Sequence, residues 1–174
     1  YHNTVQLKDG EIHSFERGLR SALWRMEDRA GAQTLHWGPD GDRILFRGSV
    51  DSYREKTGLR VFRDISWNRS AARLSVLDSV QAVRSSDSTG IVTAVSRFLL
   101  APGISIRPVG EQKLDLYAGA DRLARFSTSP GVALSVRNLW FSPQYGERIP
   151  TLQIEGSWRA DEAAPASFEI LLHP

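Results

Sequence analysis

The sequence predicts an all-β fold, an antiparallel β-sandwich of two sheets, on the basis of three observations. Apolar and polar residues alternate with a period of two along many short segments, turn residues separate these segments, and a helical period is rare. Such alternation is typical of strands that bury one face, because successive side chains of a strand point to opposite faces. At 174 residues the chain is long enough to bury a full core and suits a single sandwich domain, residues 1–174.

The alternation is clearest in six segments. These are residues 43–47, 59–67, 113–117, 132–137, 151–159 and 167–172. Turn residues lie around and between them, at 9–10, 39–42, 102–103, 109–111 and 129–131. Gly permits positive φ angles and Pro fixes its own φ angle, so these segments are predicted to be turns. Many short strands at this spacing indicate a sandwich or a barrel.

Two segments are harder to interpret. Residues 15–28 place apolar side chains near helical spacing, but Gly18 interrupts the pattern and Trp24 favours a strand, so extended structure is predicted. Residues 85–90, Ser-Ser-Asp-Ser-Thr-Gly, form the most linker-like stretch. Because this stretch is short and lies between two strand patterns, a long hairpin loop is predicted rather than a domain boundary.

Charge and composition exclude several classes of function. The net charge of +2 is spread along the chain, without the basic stripe of a nucleic-acid-binding protein. No apolar run approaches the roughly 20 residues of a membrane-spanning helix. With no cysteine, the chain has no disulfide, thiolate zinc site or cysteine nucleophile. It begins at Tyr1 without a methionine or signal peptide, so we expect a processed protein or a fragment.

The histidines and hydroxyls show no catalytic motif. The four histidines lack the His-x-His and His-Glu-x-x-His spacings that bring two imidazoles to one metal. Neither a Gly-x-Ser-x-Gly elbow nor a phosphate-binding Gly-x-x-x-x-Gly-Lys loop occurs. His36, in a predicted strand, is expected to be packed or at the surface, and His173 to be exposed.

Two acidic residues fall inside predicted strands. We expect Asp64 and Asp78 to be partly buried and paired with an arginine such as Arg63 or Arg73. A β-sandwich glycosidase remains open at this point. It needs two carboxyl groups facing each other across a cleft, and the sequence does not give that distance.

The five tryptophans are candidates for either core packing or sugar binding. Aromatic faces stack on sugar rings, but a tryptophan in a strand more commonly packs in the core. Trp67 and Trp158 occupy the apolar phase of their strands and are predicted to lie in the core. Trp140, within residues 138–146, is predicted to be exposed.

Several stretches together resemble the heparinase II/III-type family. Residues 1–10, Tyr-His-Asn-Thr-Val-Gln-Leu-Lys-Asp-Gly, resemble its His-Asn-Thr-Val and Asp-Gly signature. Four stretches resemble, in order, its run of sandwich strands and the turn that follows: residues 51–54, 58–65, 74–78 and 97–103. Residues 142–148 match its Ser-Pro-x-Tyr-Gly-Glu segment. The order of these motifs over nearly the whole chain makes the resemblance specific.

The resemblance implies a super-sandwich that forms the C-terminal part of a larger chain, after an (α/α) toroid. It further implies a polysaccharide lyase that acts by β-elimination on uronic-acid-containing polysaccharide, with this part not catalytic on its own. The implied partners are an acidic polysaccharide and the protein's own N-terminal helical domain, in the periplasm or outside the cell. The alternative is a non-catalytic carbohydrate-binding or structural module of an exopolysaccharide-related protein.

The resemblance also suggests site residues. His2 is similar in position to a histidine that helps to hold zinc in metal-binding members, and it is alternatively a hydrogen-bonded residue facing an interface. Zinc is therefore expected only in the intact larger chain, because one imidazole makes a poor metal site. Asn3, Trp140 and Tyr145 are the predicted substrate-binding residues. No catalytic residue is predicted within this chain.

Overall fold

A computed structural model describes residues 4–7, 14–15, 26–27, 30–83, 92–160 and 164–173. The strands in chain order are β1 (Val5–Leu7), β2 (Ser14–Phe15), β3 (Met26–Glu27), β4 (Gln33–Asp40), β5 (Arg43–Val50), β6 (Leu59–Asn68), β7 (Arg73–Ala82), β8 (Thr93–Leu99), β9 (Ile104–Gly110), β10 (Lys113–Ala118), β11 (Asp121–Thr128), β12 (Ala133–Phe141), β13 (Ile149–Arg159) and β14 (Ala166–Leu172). A one-turn helix, α1 (Arg54–Thr57), lies between β5 and β6. No helix in the described part of the chain is long and apolar enough to cross a membrane.

The strands form two main antiparallel sheets, which confirms the predicted sandwich. The large sheet has the order β4-β5-β6-β7-β14-β11-β10-β9, and the small sheet has the order β1-β8-β13-β12. β2 and β3 pair separately. Each of the six segments with clear alternation lies within a strand, apart from Val132 at the start of one. Gly41, Gly103 and Gly131 adopt positive φ angles of 58°, 85° and 86°, which explains why turns need glycine there.

Three phenylalanines form the centre of the core between the sheets. The ring of Phe98 in β8 lies 5.1 Å from that of Phe126 in β11 and 4.9 Å from that of Phe168 in β14. Gly156 in β13 allows this packing, because a Cβ atom there would lie 2.5 Å from the Phe168 ring. The small sheet therefore approaches the large sheet closely at β13. Trp158, as predicted, is buried in the same core.

A buried ion pair accompanies these rings. Arg63 in β6 and Asp78 in β7 are cross-strand partners, and both Nε–Oδ1 and NH2–Oδ2 distances are 2.7 Å. The Arg63 guanidinium also lies 5.3 Å from the centre of the Phe98 ring. Asp78 is completely buried, more than the partial burial predicted, because it shares the inward-facing phase of Val76 in β7. The predicted pairing of Asp78 with Arg63 is confirmed.

Other expectations about these strands need correction. Asp64 is paired with Arg47, at 3.2 Å, rather than with Arg63 or Arg73, because Arg47 is its cross-strand neighbour on the outward-facing side of the sheet. Trp67 is only partly buried. It lies on the inner face of β6 near the β4 edge of the large sheet, where the smaller sheet with half as many strands gives less cover.

The connection after β7 is not the predicted hairpin loop. β7 belongs to the large sheet and β8 to the small sheet, so the chain passes from one sheet to the other between them. Residues 85–90 themselves lie outside the described residues. Of residues 15–28, only Phe15 and the strand β3 are described, and both are extended, as predicted.

Candidate functional site: an exposed aromatic edge and a polar groove

Two of the four predicted site residues, His2 and Asn3, lie outside the described residues. The described chain begins at Thr4, whose carbonyl oxygen accepts a hydrogen bond of 2.9 Å from the backbone N–H of Arg97 in β8. Beside it, the Arg97 guanidinium donates hydrogen bonds to Gln6 Oε1 and, at 3.0 Å, to Glu155 Oε1. The β1 edge of the small sheet therefore carries a polar network on its outer face.

Trp140 and Tyr145 are both exposed, at the opposite edge of the small sheet. Trp140 is 51% exposed, as predicted. It occupies the same phase of β12 as Leu134, which packs on the core, and it is paired with Pro150 near the end of β13. The indole therefore continues the inner face of the sheet beyond the end of the core. Its substrate-binding role stays a prediction.

The loop at 142–148 holds Tyr145 in solvent. Ser142 Oγ lies 3.0 Å from the carbonyl oxygen of Gln144 and 2.9 Å from that of Glu147. Gln144 Nε2 donates to the Glu147 carboxylate at 2.9 Å. These contacts close the loop on itself, and the fully exposed Tyr145 ring stands at its tip. The residues of the family-like Ser-Pro-x-Tyr-Gly-Glu segment thus form a hydrogen-bonded loop that carries one exposed aromatic side chain.

A second feature, which sequence reasoning missed, is a groove of about 470 Å³ on the outer face of the large sheet. We call it the outer groove. It is lined by His36, Arg43, Leu45, Phe46, Arg47, Asp64, Ile65, Ser66, Ser75 and Leu77. By strand alternation, all of these except Phe46 and Ile65 direct their side chains to this outer face. The volume lies within the range of about 300–1,000 Å³ that is typical of small-ligand sites.

The arginines on the outer face of the large sheet differ in whether they are paired with a carboxylate. At the far end of the large sheet, Asp115 receives hydrogen bonds from Arg125 at 2.7 and 3.0 Å and lies 3.4 Å from Arg122. Hydrogen bonds from Arg125 hold the pKa of the Asp115 carboxyl below its usual range. By contrast, Arg43 forms no ion pair with the described residues.

The described residues do not gather other common kinds of catalytic site. No three His, Asp or Glu side chains among them lie close enough together to hold a metal ion. Among the described residues, Asp64 is the only carboxylate that lines the outer groove. A glycosidase needs two carboxyl groups on either side of a cleft, so the outer groove does not support the interpretation as a β-sandwich glycosidase. His36 and His173 are both at the surface, in agreement with their predicted positions.

A comparison with models of protein families identifies the family of this chain. A family model described as heparinase II/III-like, C-terminal, matches residues 1–169. The chain belongs to this family. The resemblance in the first ten residues and in the 142–148 loop is thereby confirmed at the level of the family. A comparison with curated proteins gave no match.

Several solved structures superpose on this heparinase-like chain and share its fold. A structure titled heparinase III superposes with a TM-score of 0.70 at 14% identity, over 98% of this chain and 23% of that chain. The heparinase III product of the BT4657 gene superposes with a TM-score of 0.68 at 15% identity, over 99% and 24%. The heparan sulfate lyase HepC from Pedobacter heparinus gives 0.64 at 9% identity, over 82% and 22%. The chain thus spans less than a quarter of the length of each.

Proposed function

We propose that this chain is the C-terminal β-sandwich of a polysaccharide lyase, and that it does not perform the elimination itself. The observation that supports this most strongly is the family match over residues 1–169, together with a superposition that covers 99% of this chain but 24% of a heparinase III. The partners that follow are an acidic, uronic-acid-containing polysaccharide and a helical domain on the N-terminal side of Tyr1. Together with the helical domain, the sandwich would shape the cleft that holds the polysaccharide.

The chemistry explains why the sandwich alone is not expected to act. In β-elimination the uronate carboxylate must be neutralised so that the C5 proton becomes acidic, a base must remove this proton, and an acid must protonate the leaving O4. All three groups must surround one sugar. In the outer groove, the one carboxylate among the lining residues, Asp64, forms an ion pair with Arg47 at 3.2 Å, so this groove is not proposed as the site of the elimination.

The first prediction concerns activity. The purified 174-residue chain, incubated with heparan sulfate and separately with alginate, should give no rise in the ultraviolet absorbance of the unsaturated product. A purified heparinase on heparan sulfate and an alginate lyase on alginate serve as positive controls. Turnover by the chain at a rate that scales with its concentration and survives repeated purification would contradict the proposal.

Zinc belongs to this proposal only through the intact protein. The part of the chain that the structure describes offers no cluster of metal ligands, and structural zinc takes about four. His2 would supply one ligand and the upstream segment the others, so no step of the chemistry above is assigned to zinc. Metal content of the complete protein, compared with its His2→Ala variant, measures this role.

A second candidate function is a carbohydrate-binding module, which the exposed Trp140 and Tyr145 favour. If stacking on a sugar resembles the stacking of two aromatic rings, which is worth about 0.5–1.5 kcal/mol beyond buried area, losing it changes affinity by roughly twofold to twelvefold. We therefore expect Trp140→Ala and Tyr145→Ala each to weaken the binding of heparan sulfate or alginate fragments by this factor, in calorimetric titration. Trp37→Ala is the control, since Trp37 is 70% exposed on the other sheet. Equal losses in all three variants would exclude a specific aromatic site.

A further inference from the structure

The outer groove exists because of one row of small residues across four neighbouring strands. In register, this floor row is Gly38 in β4, Leu45 in β5, Ser66 in β6 and Ser75 in β7. Three of its four side chains are small or absent. The imidazole of His36 leans toward Gly38, with Nε2 4.0 Å from the position that a Cβ atom of Gly38 would take.

Longer side chains form a wall on each side of this floor. One wall is the cross-strand row His36, Arg47, Asp64 and Leu77. On the other side the groove is lined by Arg43, whose cross-strand row continues through Asp40, Asn68 and Arg73 outside the lining. Adjacent strands lie about 4.8 Å apart, so four strands make a groove on the order of 14 Å long, running across the sheet. The depression is therefore elongated, and it is open to solvent along its length.

Of the three arginines in these two rows, Arg43 is the one that forms no ion pair with the residues the structure describes. Arg47 is engaged by Asp64 at 3.2 Å and also lies over the ring of Phe62 at 5.5 Å. Arg73 pairs with Glu169 at 3.4 Å. Asp40 is the cross-strand neighbour of Arg43 but is not within ion-pair distance of it, so an anionic ligand in the groove would meet a guanidinium that no described carboxylate contacts.

We propose that the outer groove binds an acidic oligosaccharide through Arg43. A planar guanidinium binds carboxylate or sulfate groups with two parallel hydrogen bonds. The hydroxyls of Ser66 and Ser75 offer hydrogen bonds to sugar hydroxyls, and Leu45 and Leu77 offer apolar contact to the C–H face of a sugar ring. The groove and its charge stand on the geometry alone, whereas the choice of a sugar over another elongated anion rests on the proposed function.

The test uses the isolated chain and size-defined fragments of heparan sulfate and alginate, measured by titration calorimetry at fixed ionic strength. Arg43→Gln removes the free cation and should weaken binding at least tenfold. Arg107→Gln is the matched control. Arg107 is an exposed arginine on the same sheet but on the distant edge strand β9, where it stacks on Tyr117 at 4.3 Å. Its loss should change affinity less than twofold.

A second variant separates shape from charge. Ser66→Leu fills the floor of the outer groove and leaves every charge in place, so it should also weaken binding at least tenfold while the circular dichroism spectrum and melting temperature stay unchanged. The proposal is overturned if the unaltered chain binds neither fragment, or if Arg43→Gln and Arg107→Gln weaken binding equally. It is also overturned if Ser66→Leu binds as tightly as the unaltered chain. None of these outcomes bears on lyase activity, which is measured separately.

Discussion

Replacing Asp78 by alanine is expected to lower the free energy of unfolding by about 3–5 kcal/mol. Asp78 is completely buried and accepts two hydrogen bonds of 2.7 Å from Arg63, whose guanidinium also lies 5.3 Å from the Phe98 ring. The substitution leaves this guanidinium between the sheets without the carboxylate that balances its charge. Urea-induced unfolding, followed by tryptophan fluorescence at constant pH, measures the loss.

Asp64→Ala is the matched control for this prediction. Asp64 also pairs with an arginine across the large sheet, but its side chain is 38% exposed, and exposed pairs contribute about 0–1 kcal/mol. The double variant Arg63→Met with Asp78→Leu should recover most of the lost stability, since it removes both charges together. If Asp78→Ala costs no more than Asp64→Ala, the pair is not the buried contact described above.

Replacing Phe126 by alanine is expected to cost a similar amount, about 3–5 kcal/mol, because it leaves a cavity in the core. Phe126 has no exposed surface and lies 5.1 Å from Phe98 and 6.1 Å from Phe168, ring centre to ring centre. It therefore joins a strand of the large sheet to one of the small sheet. For a chain of this length, the loss corresponds to a fall in melting temperature of roughly 6–20 °C.

Thermal unfolding monitored by circular dichroism tests the second prediction. The control is Phe141→Ala. Phe141 is 37% exposed at the end of β12, so this substitution removes the same side chain from a partly solvated position. Its melting temperature should fall by no more than a few degrees. A comparable fall in both variants would mean that the sheets are not held together at Phe126.

The strands and their turns were predictable because period-two alternation is a local property. Asp78, for example, lies in the same phase as Val76, so its inward direction follows from the sequence. Its partner does not follow, because Arg63 faces Asp78 only through the register of β6 against β7. The same limit explains the error at Asp64. Its own phase is clear, but its partner is set by the register with β5.

The outer groove shows the same limit at the level of a site. Gly38, Ser66 and Ser75 are unremarkable small residues in three separate segments, and only the strand register brings them into one row. The change of sheet between β7 and β8 could not be predicted from a local pattern either. Two strands separated by a polar segment show the same alternation of apolar and polar residues whether or not they pair. By contrast, the exposure of Trp140 and the family itself were accessible from short motifs.

The most direct test of the central proposal is to compare the isolated chain with the complete product of the gene that encodes it. Both proteins are assayed on heparan sulfate and alginate fragments by the ultraviolet absorbance of the unsaturated product. We expect product formation only by the complete protein, and its loss when the helical domain is deleted. The proposal would be contradicted if the complete protein contained no helical domain. It would also be contradicted if the isolated chain were as active per mole as the complete protein.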